Sequence, residues 1–310
     1  MLVKGEAMHE PQVNFVGIGA FRSGTTWTAQ CLSEHPQVFI AEKKELNYFC
    51  SRYTFRNFPV SGTYYQSTHF DGGEEWLRSC FADYLLNQMR GEFSPTYFDD
   101  PESPRLLYEH NPQMKLIVNF RNPIDAMYSI YRRASNFIDV GKTFEEYLKK
   151  YPESIEYSHY HYHTQRFLQL FPRNQVHFIV FDEIFKNPAA VFKNLCIFLR
   201  IDTGFLPPSL QQKVNPSFEF RSKGIFHAGK RFIELLNSSP IGRTVKGVLN
   251  LFGVGKAIHR AHYQYNRRIT SKVPISPALR AQLIDYFREE NHELGDLIGY
   301  DFSSWNVIKK

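Results

Sequence analysis

Three short runs of mostly apolar residues favour buried β-strands, because each is rich in β-branched and aromatic side chains and short for a helix. They lie at 13–19, 115–120 and 176–181. Each run precedes a segment that favours a helix. These segments lie at 25–35, 123–137 and 188–199. The alternation of strands and helices predicts an α/β fold with a central parallel sheet flanked by helices.

The stretch 276–299 predicts a further helix near the end of the chain. Ser276 stands where it caps the first turn, Pro277 takes the first helical position, and Gly299 follows the end. The preceding stretch, 205–275, is irregular, basic and contains prolines. We expect that stretch to face a substrate or to be mobile.

A single domain over residues 1–310 is expected, with its core at about 13–305. Of the 310 residues, 43% are hydrophobic and 22% are charged, so a buried core is available and disorder is not expected. No internal repeat or low-complexity linker divides the chain.

The chain carries an excess of positive charge, with 37 Lys and Arg against 31 Asp and Glu and a formal net charge of +6. This balance favours an anionic partner: nucleic acid, a membrane surface, or a phosphorylated or sulfated small molecule. A basic and apolar stretch at 240–268 indicates possible peripheral contact with a membrane.

The four cysteines, at positions 31, 50, 80 and 196, form no Cys-x-x-Cys pair, which argues against zinc-ribbon and thioredoxin motifs. Their low number favours a reduced compartment over a disulfide scaffold. The N-terminal segment lacks the apolar core of a signal peptide, and no apolar run approaches the roughly 20 residues of a membrane span. We therefore expect a soluble cytoplasmic protein.

A glycine-containing loop at 19–26 follows the first predicted strand and opens the first predicted helix. At such a position, backbone N–H groups and the helix N-terminus bind an anion. The two glycines have the spacing of the P-loop of NTPases, but Thr25 stands where that motif has lysine. The positive charge lies instead at Arg22. The context favours an anion site over an ordinary glycine turn.

A second candidate anion site follows the strand predicted at 115–120. Arg121 lies just after the strand, and Ser129 follows eight residues later, just over two helical turns. Both side chains can therefore face one ligand at the carboxyl edge of the sheet. The alternative is a surface ion pair between Arg121 and Asp125, with Ser129 as an ordinary helix residue.

Both motifs resemble those of sulfotransferases that use 3'-phosphoadenosine-5'-phosphosulfate. Phe-Arg-Ser-Gly-Thr-Thr-Trp at 21–27 resembles the family's 5'-phosphosulfate loop, and the residues at 121–129 are similar to its 3'-phosphate motif, Arg-x-Pro-x-x-x-x-x-Ser. Segments at 91–97 and 283–305 also resemble the family. The resemblance implies the sulfotransferase fold, which is similar to that of P-loop NTPases.

The resemblance also implies which residues bind the donor. Arg22 and the loop N–H groups stabilise the leaving 5'-phosphate, while Arg121 and Ser129 hold the 3'-phosphate, over which a late basic turn closes. The implied set is Arg22, Ser23, Gly24, Thr25, Thr26, Arg121, Ser129, Arg221, Lys223 and Gly224. For the last three, a solvated basic turn is the alternative.

The catalytic base is implied by another part of the resemblance. Lys-Glu-Leu-Asn-Tyr-Phe at 44–49 is similar to the element that carries the catalytic glutamate in heparan-type sulfotransferases. Glu45 is therefore the expected base and Lys44 an acceptor-binding residue; a surface ion pair is the alternative for Glu45. Aryl and steroid sulfotransferases use a histidine base. His69 therefore remains an alternative base and a candidate acceptor-binding residue. Tyr97 lies in a segment expected beside the acceptor cleft.

Histidines at 159, 161 and 163 alternate with tyrosines, as metal ligands on one face of a strand would. The flanking sequence favours a helix, in which residues two apart do not share a face. No nearby set of carboxylates or cysteines completes a site, and sulfonate transfer requires no metal. We expect tyrosine-rich packing and surface histidines, with no metal.

The sequence thus predicts an enzyme that transfers a sulfonate group from 3'-phosphoadenosine-5'-phosphosulfate to a hydroxyl or amine, leaving adenosine 3',5'-bisphosphate. The heparan-type motif favours a carbohydrate or glycolipid acceptor, while an aromatic content of 16% equally suits a phenolic or lipid acceptor. The other classes left open are a P-loop nucleotide kinase and a non-enzymatic binder of anionic membrane or nucleic acid. No nucleic-acid partner is expected, and the pattern indicates no oligomeric state.

Overall fold

A computed structural model describes most of the chain: residues 13–41, 43, 45–50, 72–85, 87–136, 138–212, 219–220, 267–268 and 275–308. Several sequence predictions fall outside these described residues. They concern Lys44, His69, Arg221, Lys223, Gly224 and the stretch 240–268 apart from Arg267 and Arg268.

In the described part of the chain, the central sheet has five strands that are all parallel, in the order β2-β3-β1-β4-β5. The strands are β1 (Phe15–Gly19), β2 (Val38–Ile40), β3 (Met89–Phe93), β4 (Lys115–Phe120) and β5 (Val176–Val180). A separate antiparallel pair consists of β6 (Glu219–Phe220) and β7 (Arg267–Arg268). The predicted central parallel sheet is confirmed, with β2 and β3 in addition to the three predicted strands.

Helices connect the strands and cover the sheet. The described α-helices are α1 (Thr25–Ser33), α2 (Gly73–Ser79), α3 (Ser103–His110), α4 (Pro123–Ala134), α5 (Phe144–Lys150), α6 (Glu153–Glu156), α7 (Tyr160–Leu168), α8 (Phe181–Lys186), α9 (Pro188–Leu199) and α10 (Pro277–Ile298). Short 3-10 turns lie at Pro95–Tyr97, Arg173–Gln175 and Ser303–Trp305. Among the described residues, no helix combines the length and apolar content of a membrane span.

The predicted termini of the last helix are confirmed. Ser276 accepts a hydrogen bond at its hydroxyl from the Leu279 N–H (3.2 Å), and Pro277 is the first helical residue. Gly299 ends the helix with φ +74°, a left-handed conformation that glycine adopts at low cost.

Alternate residues of the strands point into different packed layers. On one face, Leu116, Val118 and Phe120 belong to the core that includes Trp305. On the other face, Ile117 packs with side chains of α1 and α9. Both faces of the parallel sheet are therefore buried, as this architecture requires.

Two Phe–Gly pairs lock β1 against β3. The register places Phe15 opposite Gly91 and Gly17 opposite Phe93. A Cβ atom on Gly17 would lie 1.9 Å from the Phe93 ring, and one on Gly91 would lie 2.1 Å from the Phe15 ring. Each glycine thus makes room for the aromatic ring on the neighbouring strand.

We predict that Gly17→Ala destabilises the protein by about 1–3 kcal/mol, because the added methyl group overpacks a core that cannot move without displacing Phe93. Denaturant unfolding measures the effect. Gly204→Ala is the matched control, since Gly204 is exposed and its nearest neighbour to an added Cβ is an Asp202 oxygen at 3.3 Å. Equal free energies of unfolding for the Gly17 variant and wild type would contradict this account.

Candidate active site

The loop between β1 and α1 lies at the carboxyl edge of the sheet. Gly24 precedes α1 with φ +94°, and a Cβ at this position would lie 3.0 Å from both Ile184 and Phe181. The first turn of α1 contains no acidic side chain, and its N-cap residue is a glycine, which has no capping side chain. The positive end of the helix dipole therefore favours an anion at this loop. The structure agrees with the predicted strand–loop–helix context.

Members of the two predicted anion sites are in direct contact. The Arg22 Nε donates a hydrogen bond to the Ser129 Oγ (2.9 Å), although the residues are 107 positions apart. The Arg121 Nη1 donates to the Arg22 carbonyl (3.1 Å). The loop after β1 and the loop after β4 therefore form one basic cleft rather than two separate surfaces.

Arg121 is held by packing as well as by hydrogen bonding. Its guanidinium lies 4.6 Å from the centre of the Phe181 ring. Burial lowers the pKa of Arg121, while the charges of Asp125 and Asp182 oppose this shift. An arginine side chain nevertheless keeps its charge in proteins. Asp125 makes its ion pair with Arg280 (2.7 Å), so the alternative of an Arg121–Asp125 surface pair is not what the structure shows.

Asn122 is a functional-site neighbour that the sequence reasoning missed. Its side-chain oxygen accepts hydrogen bonds from the N–H groups of Ile124 (3.0 Å) and Asp125 (3.4 Å), which caps α4. Its amide donates to the Trp305 carbonyl (3.2 Å). Asn122 therefore fixes the turn between Arg121 and α4 and ties it to the end of the chain. The Asn-Pro sequence before a helix is the signal that could have indicated this cap.

The remaining loop residues differ in exposure. Ser23 and Thr25 are buried, whereas Gly24 and Thr26 are half-buried. The Ser23 hydroxyl donates to the Phe21 carbonyl (3.2 Å), so the loop is closed on itself at that point. Any ligand on this loop would meet its backbone more readily than the Ser23 side chain.

The segment 45–50 that carries the predicted base lies beside the end of β3. Glu45 is half-buried, and both Glu45 (φ +57°) and Asn47 (φ +51°) have left-handed backbone conformations. The Asn47 N–H donates to the Ser94 Oγ (2.9 Å), and the Asn47 side-chain amide donates to the Glu45 carbonyl (2.9 Å). Since Ser94 N–H donates to the Gly17 carbonyl (3.0 Å), this segment is tied to the strand that leads into the anion loop.

Glu92 is a buried carboxyl group to which the sequence reasoning gave no role. It is 1% exposed, and its Oε2 accepts a hydrogen bond from the Ser94 hydroxyl (2.7 Å). Burial raises the pKa of Glu92 to about 7, against the opposing effect of the polar groups of Tyr97, Ser94 and the Leu46 backbone; the nearby Glu45 charge raises it further. The available sequence signal was a glutamate followed by two apolar or small residues in the Gly-Glu-Phe-Ser segment that ends β3.

Tyr97 does not have the surface that the predicted contact with an acceptor requires. It is 0% exposed, and its hydroxyl accepts a hydrogen bond from the Phe49 N–H (3.3 Å). The same hydroxyl interacts with Glu92, and burial raises the pKa of Tyr97 well above its usual range. The prediction for Tyr97 is therefore corrected: this residue supports the segment 45–50 from inside the protein.

The three alternating histidines face different partners. His159 Nδ1 lies 3.4 Å from Glu290 Oε2, His161 Nδ1 lies 3.0 Å from Glu293 Oε2, and His163 Nε2 lies 3.0 Å from the Glu156 carbonyl. Ligand atoms of His161, Glu290 and Glu293 lie within 4.8 Å of one another. Glu290 also accepts a hydrogen bond from the His161 N–H (2.9 Å), which caps α7. Helix capping and ion pairing explain this cluster, and the expected absence of a metal stays a prediction.

Comparison with known proteins bears on the family and the fold of this chain. A family model for the sulfotransferase domain matches residues 15–220, about two thirds of the chain. The membrane-associated sulfotransferase kil1 of Dictyostelium discoideum is 31% identical over 144 residues, which cover 46% of this chain and 26% of that protein. Heparan sulfate glucosamine 3-O-sulfotransferase 5 of Homo sapiens is 25% identical over 208 residues, which cover 63% of this chain and 54% of that protein.

The solved structure of a sulfotransferase from Alicyclobacillus acidocaldarius has a TM-score of 0.67 to this chain, with 22% identity and coverage of 95% of this chain and 99% of that one. At this identity the likeness establishes the fold. The matched regions span from about a quarter to about half of the lengths of the two curated relatives. The predicted sulfotransferase fold is confirmed.

We predict that the stability of a Glu92→Gln variant, relative to wild type, rises as the pH increases from about 4.5 to about 7. In this window folded Glu92 retains a proton that the unfolded chain releases, so the free energy of unfolding of wild type falls as the pH rises. The glutamine variant has no carboxyl proton to release, so its free energy of unfolding does not fall in this way as the pH rises. The change amounts to a few kcal/mol, since one pKa unit corresponds to about 1.4 kcal/mol.

Denaturant unfolding at several pH values measures this difference. The matched control is Glu34→Gln, at the other end of α1, where burial is outweighed by hydrogen bonds from Gln30 and Ser209 that lower the pKa. The stability contribution of Glu34 is lost only as the pH falls below the usual carboxyl range, so the control should show no change between about pH 5 and 8. Parallel curves for wild type and Glu92→Gln over that range would contradict the assigned protonation.

Proposed function

The chain belongs to the sulfotransferase family, and on this premise we propose that it transfers a sulfonate group from 3'-phosphoadenosine-5'-phosphosulfate to a hydroxyl or amine of an acceptor. The observation that carries the proposal is the contact of Arg22 with Ser129 and with Arg121 at the N-terminus of α1. This cluster suits a ligand with two separate phosphate groups, because two guanidinium groups converge on one cleft.

Each half of the cleft receives one end of the donor. The 5'-phosphosulfate lies on the loop N–H groups of residues 23–26, and Arg22 stabilises the charge that grows on the departing phosphate oxygen. Arg22 acts as a permanent cation and not as a proton donor. Arg121 and Ser129 bind the 3'-phosphate. In this arrangement, the hydrogen bond between Arg22 and Ser129 is exchanged for hydrogen bonds to the donor when the donor binds.

Glu45 is the base in the proposed reaction. The acceptor oxygen or nitrogen attacks the sulfur atom in line with the bridging oxygen of the donor, and its proton passes to the Glu45 carboxylate. One bond to sulfur forms while the bond from sulfur to the bridging oxygen breaks. The bond electrons remain on the 5'-phosphate of adenosine 3',5'-bisphosphate. No redox step or metal-dependent step is needed.

A carbohydrate or glycolipid is the acceptor we favour. The motif around Glu45 resembles that of heparan-type sulfotransferases, and the names of several relatives refer to heparan sulfate. Close to Glu45, the half-buried rings of Tyr48 and Trp76 are stacked with centres 6.0 Å apart, and the Lys43 ammonium lies 5.1 Å from the Trp76 ring. Aromatic rings contact sugar faces and phenolic rings alike, so these contacts do not distinguish a carbohydrate acceptor from a phenolic one. A screen of both kinds of acceptor by mass spectrometry distinguishes them, because a true acceptor gains the mass of one sulfonate group.

We predict that Arg121→Ala weakens binding of adenosine 3',5'-bisphosphate by about ten- to a hundredfold, because a charged hydrogen bond to phosphate contributes about 1.5–3 kcal/mol. Isothermal titration calorimetry measures the affinity. The matched control is Arg105→Ala, which removes an exposed arginine that is paired with Glu102 and Glu109. Unchanged affinity in the Arg121 variant would contradict the role of Arg121 in binding the 3'-phosphate. Preferred binding of ATP with magnesium by wild type would favour the nucleotide-kinase alternative.

We predict that Glu45→Gln slows turnover by roughly a hundredfold and leaves the affinity for adenosine 3',5'-bisphosphate unchanged, since an amide cannot accept the acceptor's proton at neutral pH. Steady-state rates of sulfonate transfer and calorimetry measure the two effects. Glu109→Gln serves as the control, because Glu109 is an exposed carboxylate on α3 that pairs with Arg105. Transfer at the wild-type rate by the Glu45 variant would show that another group is the base.

A further inference from the structure

We propose that Glu92 is a positioning residue for sulfonate transfer, which holds the Glu45 segment in its reactive orientation through the hydrogen bond that it accepts from Ser94. The proposal rests on the proposed function, because Glu45 is the group that it positions. It concerns a residue that lies beneath the cleft and contacts neither donor nor acceptor, since Glu92 is 1% exposed.

The connection from Glu92 to the Glu45 segment passes through a single hydroxyl group. Ser94 Oγ donates to Glu92 Oε2 (2.7 Å) and accepts from the Asn47 N–H (2.9 Å). Because the Ser94 hydroxyl has one proton, its donation to Glu92 leaves an oxygen lone pair directed at Asn47. Through this hydroxyl group, the Glu92 carboxyl group sets the position of the Asn47 backbone, two residues after Glu45.

The Asn47 side chain extends this network to Glu45 itself. Its Oδ1 accepts a hydrogen bond from Thr96 Oγ1 (2.6 Å), which leaves the amide nitrogen to donate to the Glu45 carbonyl (2.9 Å). The left-handed conformations of Glu45 and Asn47 are unfavourable for residues with a Cβ, and such conformations persist where surrounding contacts determine them. The network supplies these contacts.

A carboxyl group suits the position of Glu92, because its Oε2 accepts the hydrogen bond of the Ser94 hydroxyl. A glutamine has one acceptor oxygen, and its NH2 group would present protons to the Ser94 hydroxyl if it took the Oε2 position. The Glu92→Gln substitution therefore disturbs the contacts of the segment while it keeps the size of the side chain.

The test is a double-mutant cycle between Glu92→Gln and Glu45→Gln. If Glu92 acts through Glu45, Glu92→Gln lowers kcat by about tenfold or more in the wild-type background, and leaves the donor KM and the affinity for adenosine 3',5'-bisphosphate within about twofold. In the Glu45→Gln background, the same substitution changes the residual rate by less than about twofold. A loss of folding would instead reduce the amount of active protein and the number of calorimetric binding sites.

A second cycle uses Ser94→Ala with Glu45→Gln and decides the question if Glu92→Gln does not fold. The control for both cycles is Glu34→Gln, which removes a carboxylate that accepts hydrogen bonds from the Ser209 hydroxyl and N–H at the opposite end of α1. The control should leave kcat unchanged in both backgrounds.

Two results would overturn the positioning role while the proposed function stands. In the first, wild type is active and neither Glu92→Gln nor Ser94→Ala lowers kcat. In the second, each of these substitutions lowers kcat by the same factor with Glu45 present as in the Glu45→Gln background. A wild type that transfers no sulfonate from 3'-phosphoadenosine-5'-phosphosulfate contradicts the proposed function, and the positioning role is then rejected with it. The two failures are therefore distinguishable by the wild-type rate.

Discussion

The parallel pairing of β1 with β3 and β4 is the constraint on which the candidate site depends. Parallel strands end at the same edge of a sheet, so the residues that follow these three strands must meet there. The Phe15–Gly91 and Gly17–Phe93 pairs fix β1 and β3 in one register. If the register of β1 against β3 shifted by one residue, every side chain of the shifted strand would point to the opposite face of the sheet, and these loops would no longer lie together.

Backbone strain is concentrated where the chemistry is proposed. Arg22 (φ +59°), Glu45 (φ +57°) and Asn47 (φ +51°) all have left-handed conformations and lie in the loops around the cleft. Such conformations cost of order 1–3 kcal/mol for residues other than glycine, least for Asn, and occur preferentially at functional sites. The buried contacts of Ser94 and Thr96 stabilise the two strained residues of the Glu45 segment.

The parts of this fold that were predictable are those with a local signal. Continuous apolar runs identify β1, β4 and β5, whereas β2 has three residues and β3 includes Arg90 and Glu92, whose burial depends on tertiary partners. The spacing of glycines predicted the loop before α1. The contact between Asn47 and Ser94 joins residues 47 positions apart, and no pattern within one element encodes it.

The burial of Glu92 shows how stability and function oppose each other in this site. A carboxyl group with a pKa of about 7 reduces the stability of the folded state as the pH rises toward neutrality, because folded Glu92 retains a proton that the unfolded chain releases. The same burial places the carboxyl group where it orders the segment after Glu45 without competing for acceptor or donor. A cost in stability at a buried position is therefore expected when the position serves the geometry of a neighbouring reactive group.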